Sequence, residues 1–117
     1  MQSTREAQIR QLYDQFNARN SAAIMHALHD HVDWPNGWEG GRVAGKSAVE
    51  DYWKRQWLAI DPAVKPTAFE ELPDGRLRVT VHQLVKDKEG KVLDDRHVGH
   101  TYTFLDDKVS RMDIEED

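Results

Sequence analysis

Four groups of residues hold most of the chemical capability of this chain. The first is Gly40-Gly41-Arg42-Val43-Ala44-Gly45-Lys46-Ser47, which fits the G-x-x-x-x-G-K-[ST] phosphate-loop pattern. Such a loop works only between a strand and a helix of a parallel sheet, with an acidic magnesium ligand on a second strand. The residues that follow predict antiparallel hairpins, so nucleotide hydrolysis is not expected. The second is His26, His29 and His31. On a helix, His26 and His29 share a face at i, i+3 and would fill two corners of a zinc site, with His31 swinging in from the loop and Asp30 or Asp33 adding oxygen. No matching ligand set follows downstream. The expectation is a solvated helix edge and no metal.

The third group is aromatic. Trp34, Trp38, Trp53 and Trp57 make four tryptophans in 117 residues. Core packing explains some of them. Trp53 is the best core residue, while Trp38, between Gly37 and Glu39, suits the rim of a pocket or a subunit contact. The fourth group comes from strand alternation. If Leu77, Val79 and Val81 face a core, Gln83 follows them inward. If Phe104 is inward on its strand, Tyr102, His100, Val98, Arg96 and Asp94 share its face. An inward His100 beside Tyr102 and Gln83 is the best general acid or base of the chain. Arg96, nearer a mouth, would hold a carboxylate or polar oxygen. A buried, hydrogen-bonded histidine with a structural role has the same pattern. One bulge in the strand would turn Arg96, His100 and Tyr102 outward and put His97 in their place.

The elements that must position these groups follow from periodicity. Ser3-Thr4-Arg5-Glu6 reads as a capping box. Ile9, Leu12, Tyr13 and Phe16 then form one helical stripe. Asn20 or Ser21 caps a shorter helix carrying Ile24, Met25 and Leu28. Val32-Asp33-Trp34-Pro35 is a short strand, and Asn36 to Gly45 a glycine loop. Ser47-Ala48-Val49-Glu50 is a second capping box. Behind it Val49, Tyr52, Trp53, Gln56, Trp57 and Ile60 share one face, stopped by Asp61-Pro62. The period then changes to 2. Strands are expected over 67–72, 77–85, about 92–105 and 108–115, joined by turns at Pro73-Asp74-Gly75, Lys88-Glu89-Gly90 and Asp106-Asp107. This is an α+β chain: helices first, then a curved, mainly antiparallel sheet that only the helices can cover.

Composition narrows the function classes. A single domain of residues 1–117 is expected at this length. Net charge is −5 with no basic stripe, which argues against nucleic acid. No apolar run approaches about 18 residues, and no charged start leads an apolar segment, so neither a membrane span nor a signal peptide is expected. Zero cysteine excludes thiolate chemistry and fits a cytoplasmic protein.

The order and local patterns of these segments resemble the SnoaL-like branch of the nuclear-transport-factor-2 superfold. The resemblance rests on Leu12-Tyr13-Asp14-Gln15-Phe16-Asn17-Ala18-Arg19-Asn20, on Val32-Asp33-Trp34-Pro35-Asn36 and on Gly45-Lys46-Ser47-Ala48-Val49. Thr101-Tyr102-Thr103-Phe104-Leu105-Asp106-Asp107-Lys108-Val109-Ser110-Arg111-Met112 completes it. It implies a cone: three N-terminal helices on a strongly curved sheet, with a cavity at the open end. It also implies a homodimer through the outer sheet face, where His82, His97, Thr101 and Thr103 would lie. Against the ketosteroid isomerases of that superfold, Leu12, His100 and Asn36 align with the helix tyrosine, the strand acid and the aspartate base. Leu12 cannot donate a hydrogen bond and Asn36 cannot act as a base, so that mechanism is not expected. The expected function is binding of a small apolar or aromatic ligand among Trp34, Asn36, Trp38, Trp53, Trp57, Gln83, Arg96 and Tyr102. Any catalysis would be cofactor-free acid–base chemistry at His100, of isomerase, cyclase, dehydratase or hydrolase type. The alternative is a non-catalytic dimerising or protein-interaction module.

Overall fold

A computed structural model describes residues 4–116. Helix α1 spans Thr4–Asn17 and buries Ile9, Leu12, Tyr13 and Phe16, the predicted stripe. Ser3 of the first capping box lies outside the described residues. Asn20 caps α2, Ser21–Ile24, by accepting from the Ala23 amide. This helix is shorter than its apolar pattern suggests. A 3₁₀ turn over Met25–Ala27 ends it, and Leu28 opens strand β1, Leu28–Pro35. His26 and His29 therefore never share a helical face. His29 and His31 sit instead on one side of β1, with ring centroids 5.7 Å apart. Among the described residues no group of three or more His, Asp or Glu could hold a metal ion.

Strand β2, Arg42–Ala44, pairs antiparallel with β1 and occupies part of the expected glycine loop. Helix α3, Lys46–Ala59, buries Val49, Tyr52, Trp53 and Trp57. The second capping box does not form. Gly45 is the N-cap and offers no side chain, while Glu50 accepts from Ser21 Oγ at 2.8 Å and so ties α3 to α2. The phosphate-loop reading ends here too: Arg42–Ala44 is hydrogen-bonded strand, not an anion cradle, and Lys46 Nζ lies 3.4 Å from Asp30.

Strands β3 (Asp61–Glu71), β4 (Leu77–Lys86), β5 (Val92–Leu105) and β6 (Lys108–Glu116) form the antiparallel meander. The sheet order is β2-β1-β6-β5-β4-β3, with β1 parallel to β6. β3 begins six residues before the expected Thr67. Pro62 and Pro66 hide it from a sequence reading, because proline lacks a ladder donor; β3 is an edge strand, where that loss is tolerated. Asp106 and Asp107, with φ of 54° and 62°, make the tight β5–β6 turn. Asn17 grips β3 by donating to the Val64 carbonyl at 2.8 Å and accepting from its amide at 3.0 Å. The helices cover the concave face of the curved sheet, and the core lies between them.

Candidate functional site

Register decides what faces the cavity. On β5 the irregularity falls between Val92 and Asp94, beyond the residues of interest. Alternation then runs unbroken: Gln83 pairs with Arg96, Val81 with Val98, Val79 with His100 and Leu77 with Tyr102. Val98, His100 and Tyr102 are all buried beneath the helices, and His97 is exposed on the other face. Thr101, also on the outer side, is nevertheless buried; its hydroxyl donates to Glu115 at 3.3 Å.

A cavity of about 240 Å³ lies between α1, α3 and the concave sheet. Its walls are mainly apolar and aromatic, from Leu12, Phe16, Trp34, Tyr52, Trp53 and Met112. Exposed Trp38, Ile114 and Arg96 mark its mouth. Gln83, Asp94 and Arg96 form a polar group on the sheet wall. Asp94 Oδ2 accepts from Gln83 Nε2 at 3.1 Å and from Arg96 Nε at 3.0 Å.

At the buried end His100 lines the cavity and is 6% exposed. Its Nδ1 lies 2.9 Å from the Tyr13 hydroxyl. Tyr102 donates to that same hydroxyl at 2.7 Å. Tyr13 therefore has its own proton left for Nδ1, which places the imidazole proton on Nε2. Burial lowers the His100 pKa from 6.5 to about 4, so the ring is neutral at neutral pH. Burial pushes the Tyr13 phenol well up, as does neighbouring Tyr102. The Tyr102 phenol is raised by burial as well. Tyr52 is pushed up to about 12 by burial, against backbone hydrogen bonds from Trp38 and Gly37. The result is a neutral chain of three polar side chains inside an apolar core.

The profile of the SnoaL-like domain matches residues 9–112. The chain belongs to the SnoaL-like domain family. Among solved structures it is similar to TerC co-crystallised with polyporic acid, at 24% identity and a TM-score of 0.83, over 98% of this chain and 92% of that one. It is similar to the epoxide hydrolase/cyclase-like enzyme SalBIII at 14% identity and a TM-score of 0.81, over 97% and 90% of the two chains. It is also similar to RV0760c of Mycobacterium tuberculosis in complex with estradiol-17beta-hemisuccinate, at 14% identity and a TM-score of 0.81, over 95% and 92%. At these identities the likeness shows the shared fold. No curated protein matches the chain.

Within this SnoaL-like cone the expected site residues divide. Trp34, Trp38, Trp53, Gln83, Arg96 and His100 line the cavity. Asn36, Trp57 and Tyr102 do not. Asn36 folds inward to build its own loop: Oδ1 accepts from the Trp38 and Glu39 amides at 3.2 and 2.7 Å. Trp57 packs behind the wall, its ring 5.3 Å from Phe16 and 6.3 Å from Trp53, with Arg19 over its face at 5.6 Å. Tyr102 stands behind the wall, its hydroxyl on Tyr13 and its ring 6.2 Å from Trp34 and 6.3 Å from His100. Sequence reasoning misses two tyrosines of the site, Tyr13 and Tyr52. Both stand on predicted apolar stripes, but a stripe does not show where a hydroxyl ends. The alignment that leaves α1 without a phenol, through Leu12, is also revised: Tyr13, one residue on, brings a hydroxyl to His100. No helix of the described residues is long and apolar enough to cross a membrane.

Proposed function

We propose that the chain binds a small, largely apolar ligand in the cone, with a ligand oxygen at His100, and that any chemistry on it is cofactor-free and begins with His100 polarising that oxygen. The buried Tyr102–Tyr13–His100 chain ending at the cavity wall carries this reading. A side chain needed only to fill that space need not be polar, and burying three polar groups is costly unless each finds a partner. His100 offers the cavity a neutral Nε2–H. That donor suits a carbonyl or epoxide oxygen of the ligand, which it would polarise. Full proton release from the ring would push charge back onto Tyr13 and Tyr102, whose raised pKa values oppose it. His100 therefore acts chiefly by hydrogen bonding to the ligand oxygen.

The small-molecule complexes of TerC and RV0760c, and the epoxide hydrolase/cyclase-like character of SalBIII, support this reading. The second partner we propose is another copy of the chain, on the outer sheet face that carries His82, His97 and Thr103. A cysteine-free composition suits the cytoplasm as the place of action.

A library of aromatic ketones, screened by tryptophan fluorescence on wild type, His100→Ala and Trp38→Ala, tests the ligand site. A binder should lose roughly tenfold in affinity in each variant, the size of one hydrogen bond or one aromatic contact. Equal binding by all three proteins would place the ligand elsewhere.

A further inference from the structure

We infer that the ligand of this cavity carries a neutral hydroxyl at the end opposite its acceptor oxygen, taken by Gln56 of α3 and by the Gln83–Asp94 pair of the sheet. The inference rests on the ligand-site reading above and adds the chemical class. Gln56 lies one helical turn beyond Tyr52 and Trp53 and lines the cavity with them. It is half-buried, and its carboxamide makes no hydrogen bond to any described residue. An amide left so in a partly dry wall is costly until a partner arrives. The chain brings Gln56 to the polar end of the sheet. Lys88, in the β4–β5 turn, donates to the Trp57 carbonyl at the end of α3. Pro62, just beyond that helix, pairs with Val85, and Val85 pairs with Asp94.

What this end of the sheet offers is acceptors. Asp94 Oδ2 accepts from Gln83 Nε2 at 3.1 Å and from Arg96 Nε at 3.0 Å. Asp94 Oδ1 and Gln83 Oε1 accept from no described residue. A ligand therefore gains most here by bringing a donor. A carboxylate brings none and would face the Asp94 oxygens. An ammonium group donates, but it would stand beside the Arg96 guanidinium, which already balances the Asp94 charge. A hydroxyl donates to Gln83 or Asp94 and accepts from the Gln56 amide, so it satisfies both sides without adding a charge.

The strands also measure the ligand. Gln83 pairs with Arg96 and Val79 with His100, so the two ends of the site are four residues apart along β4 and β5. At ~3.3 Å per residue that is roughly 13 Å between backbones. The cavity volume of about 240 Å³ admits a compact ring system across that span and little more. The class is therefore a hydroxylated ketone or epoxide on an aromatic or alicyclic body, and neither a carboxylic acid nor an amine.

Probes on one acetylbiphenyl frame test this, with a hydroxyl, methoxy, hydrogen, carboxylate or aminomethyl group on the ring far from the ketone. Each is titrated by calorimetry against wild type, Gln56→Met, Gln83→Met, the double variant and His100→Ala. In wild type the hydroxyl probe should bind roughly three- to tenfold tighter than the hydrogen and methoxy probes, the range for one hydrogen bond. Each single glutamine variant should reduce that ratio, and the double variant should bring it close to one. The hydrogen probe should bind the glutamine variants as it binds wild type, which shows that the cavity is intact in them. His100→Ala should weaken all the probes and leave the ratio unchanged. The hydroxyl assignment is wrong, while the cavity reading stands, if the hydroxyl and hydrogen probes bind wild type equally or if their ratio survives the double variant. It is equally wrong if the carboxylate or aminomethyl probe binds wild type as tightly as the hydroxyl probe. If no probe binds any of the five proteins, the cavity reading falls and takes this inference with it.

Discussion

At the scale of residues, the decisive fact is a neutral imidazole wired to two phenols. Its protonation should be visible in stability. Folded His100 titrates at about 4 and unfolded histidine at about 6.5. Between those values the unfolded chain takes up a proton that the folded chain refuses, so stability rises with pH across the window and levels off above it. The contribution is about 3 kcal/mol, since a tenfold difference in proton affinity is worth about 1.4 kcal/mol. Urea unfolding of wild type and His100→Gln at pH 4.5, 5.5 and 7 should show a steeper rise for wild type. Parallel curves would mean that His100 is hydrated and charged in the folded protein. The Tyr13 hydroxyl is the hub of the chain, bonded to both His100 and Tyr102. Tyr13→Phe should cost about 1–3 kcal/mol, because two buried partners lose their bond. Adding Tyr102→Phe should cost less than the sum of the single changes, as coupled groups do. Strict additivity in thermal or urea unfolding would show that the three groups do not form one network.

At the scale of elements, α3 is aimed by a backbone feature. Gly45 has φ of 90° and ψ of 150°, a region open essentially to glycine alone, and its amide donates to the Val32 carbonyl at 2.7 Å. That geometry turns the chain from β2 into the helix that supplies Tyr52, Trp53 and Gln56 to the cavity. Gly45→Ala should therefore destabilise by about 1–3 kcal/mol. Gly99 makes the useful contrast. A Cβ there would meet the Arg78 guanidinium at 2.9 Å, the movable end of a long side chain. Gly99→Ala should cost less than Gly45→Ala, and equal losses in urea midpoint would overturn the account. On the far edge, Arg42 and Arg111 alternate with Asp33 and Asp113 at 2.6–3.3 Å across β2, β1 and β6. This ring of partly exposed charges helps lock the parallel β1–β6 pair in register.

At the scale of the whole molecule, aromatic rings play opposite roles at the two ends of the cavity. Trp53 is 1% exposed and contacts Phe16, Trp34 and Trp57 edge-on or stacked. Trp53→Ala should cost about 3–5 kcal/mol and disturb the cone itself. Trp38 is 39% exposed at the mouth. Trp38→Ala should change stability by no more than about 0.5 kcal/mol while weakening ligand binding. The two variants, compared by thermal unfolding and ligand titration, separate folding from function. The proposed homodimer belongs to this scale as well. Analytical ultracentrifugation should show a dimer for wild type, and His97→Glu on the exposed outer face should weaken it without changing the circular dichroism. A wild-type monomer at all concentrations would remove the outer face as a subunit contact.

How much is legible in the chain depends on the range of the interaction involved. Local periodicity suffices for the helical stripe of Ile9, Leu12, Tyr13 and Phe16, and for the meander from Leu77 onward, because side-chain direction in a regular element follows from spacing alone. It also suffices to put Val98, His100 and Tyr102 on one face, since the bulge beside Asp94 falls outside that run. It fails where a distant partner overrides the local signal. Pro62 and Pro66 sit within a strand because that strand is an edge. Glu50 leaves its capping box for Ser21, 29 residues away. Asn36 commits its side chain to its own loop, and Trp57 falls behind the wall. Above all, the Tyr13–His100 bond joins residues 87 positions apart, and only the folding of α1 onto β5 makes it. Spacing along the chain dictates which residues turn inward. Packing of the helices on the sheet selects which of them touch, because hydrogen bonds act over about 3 Å and periodicity carries no information from one element to another.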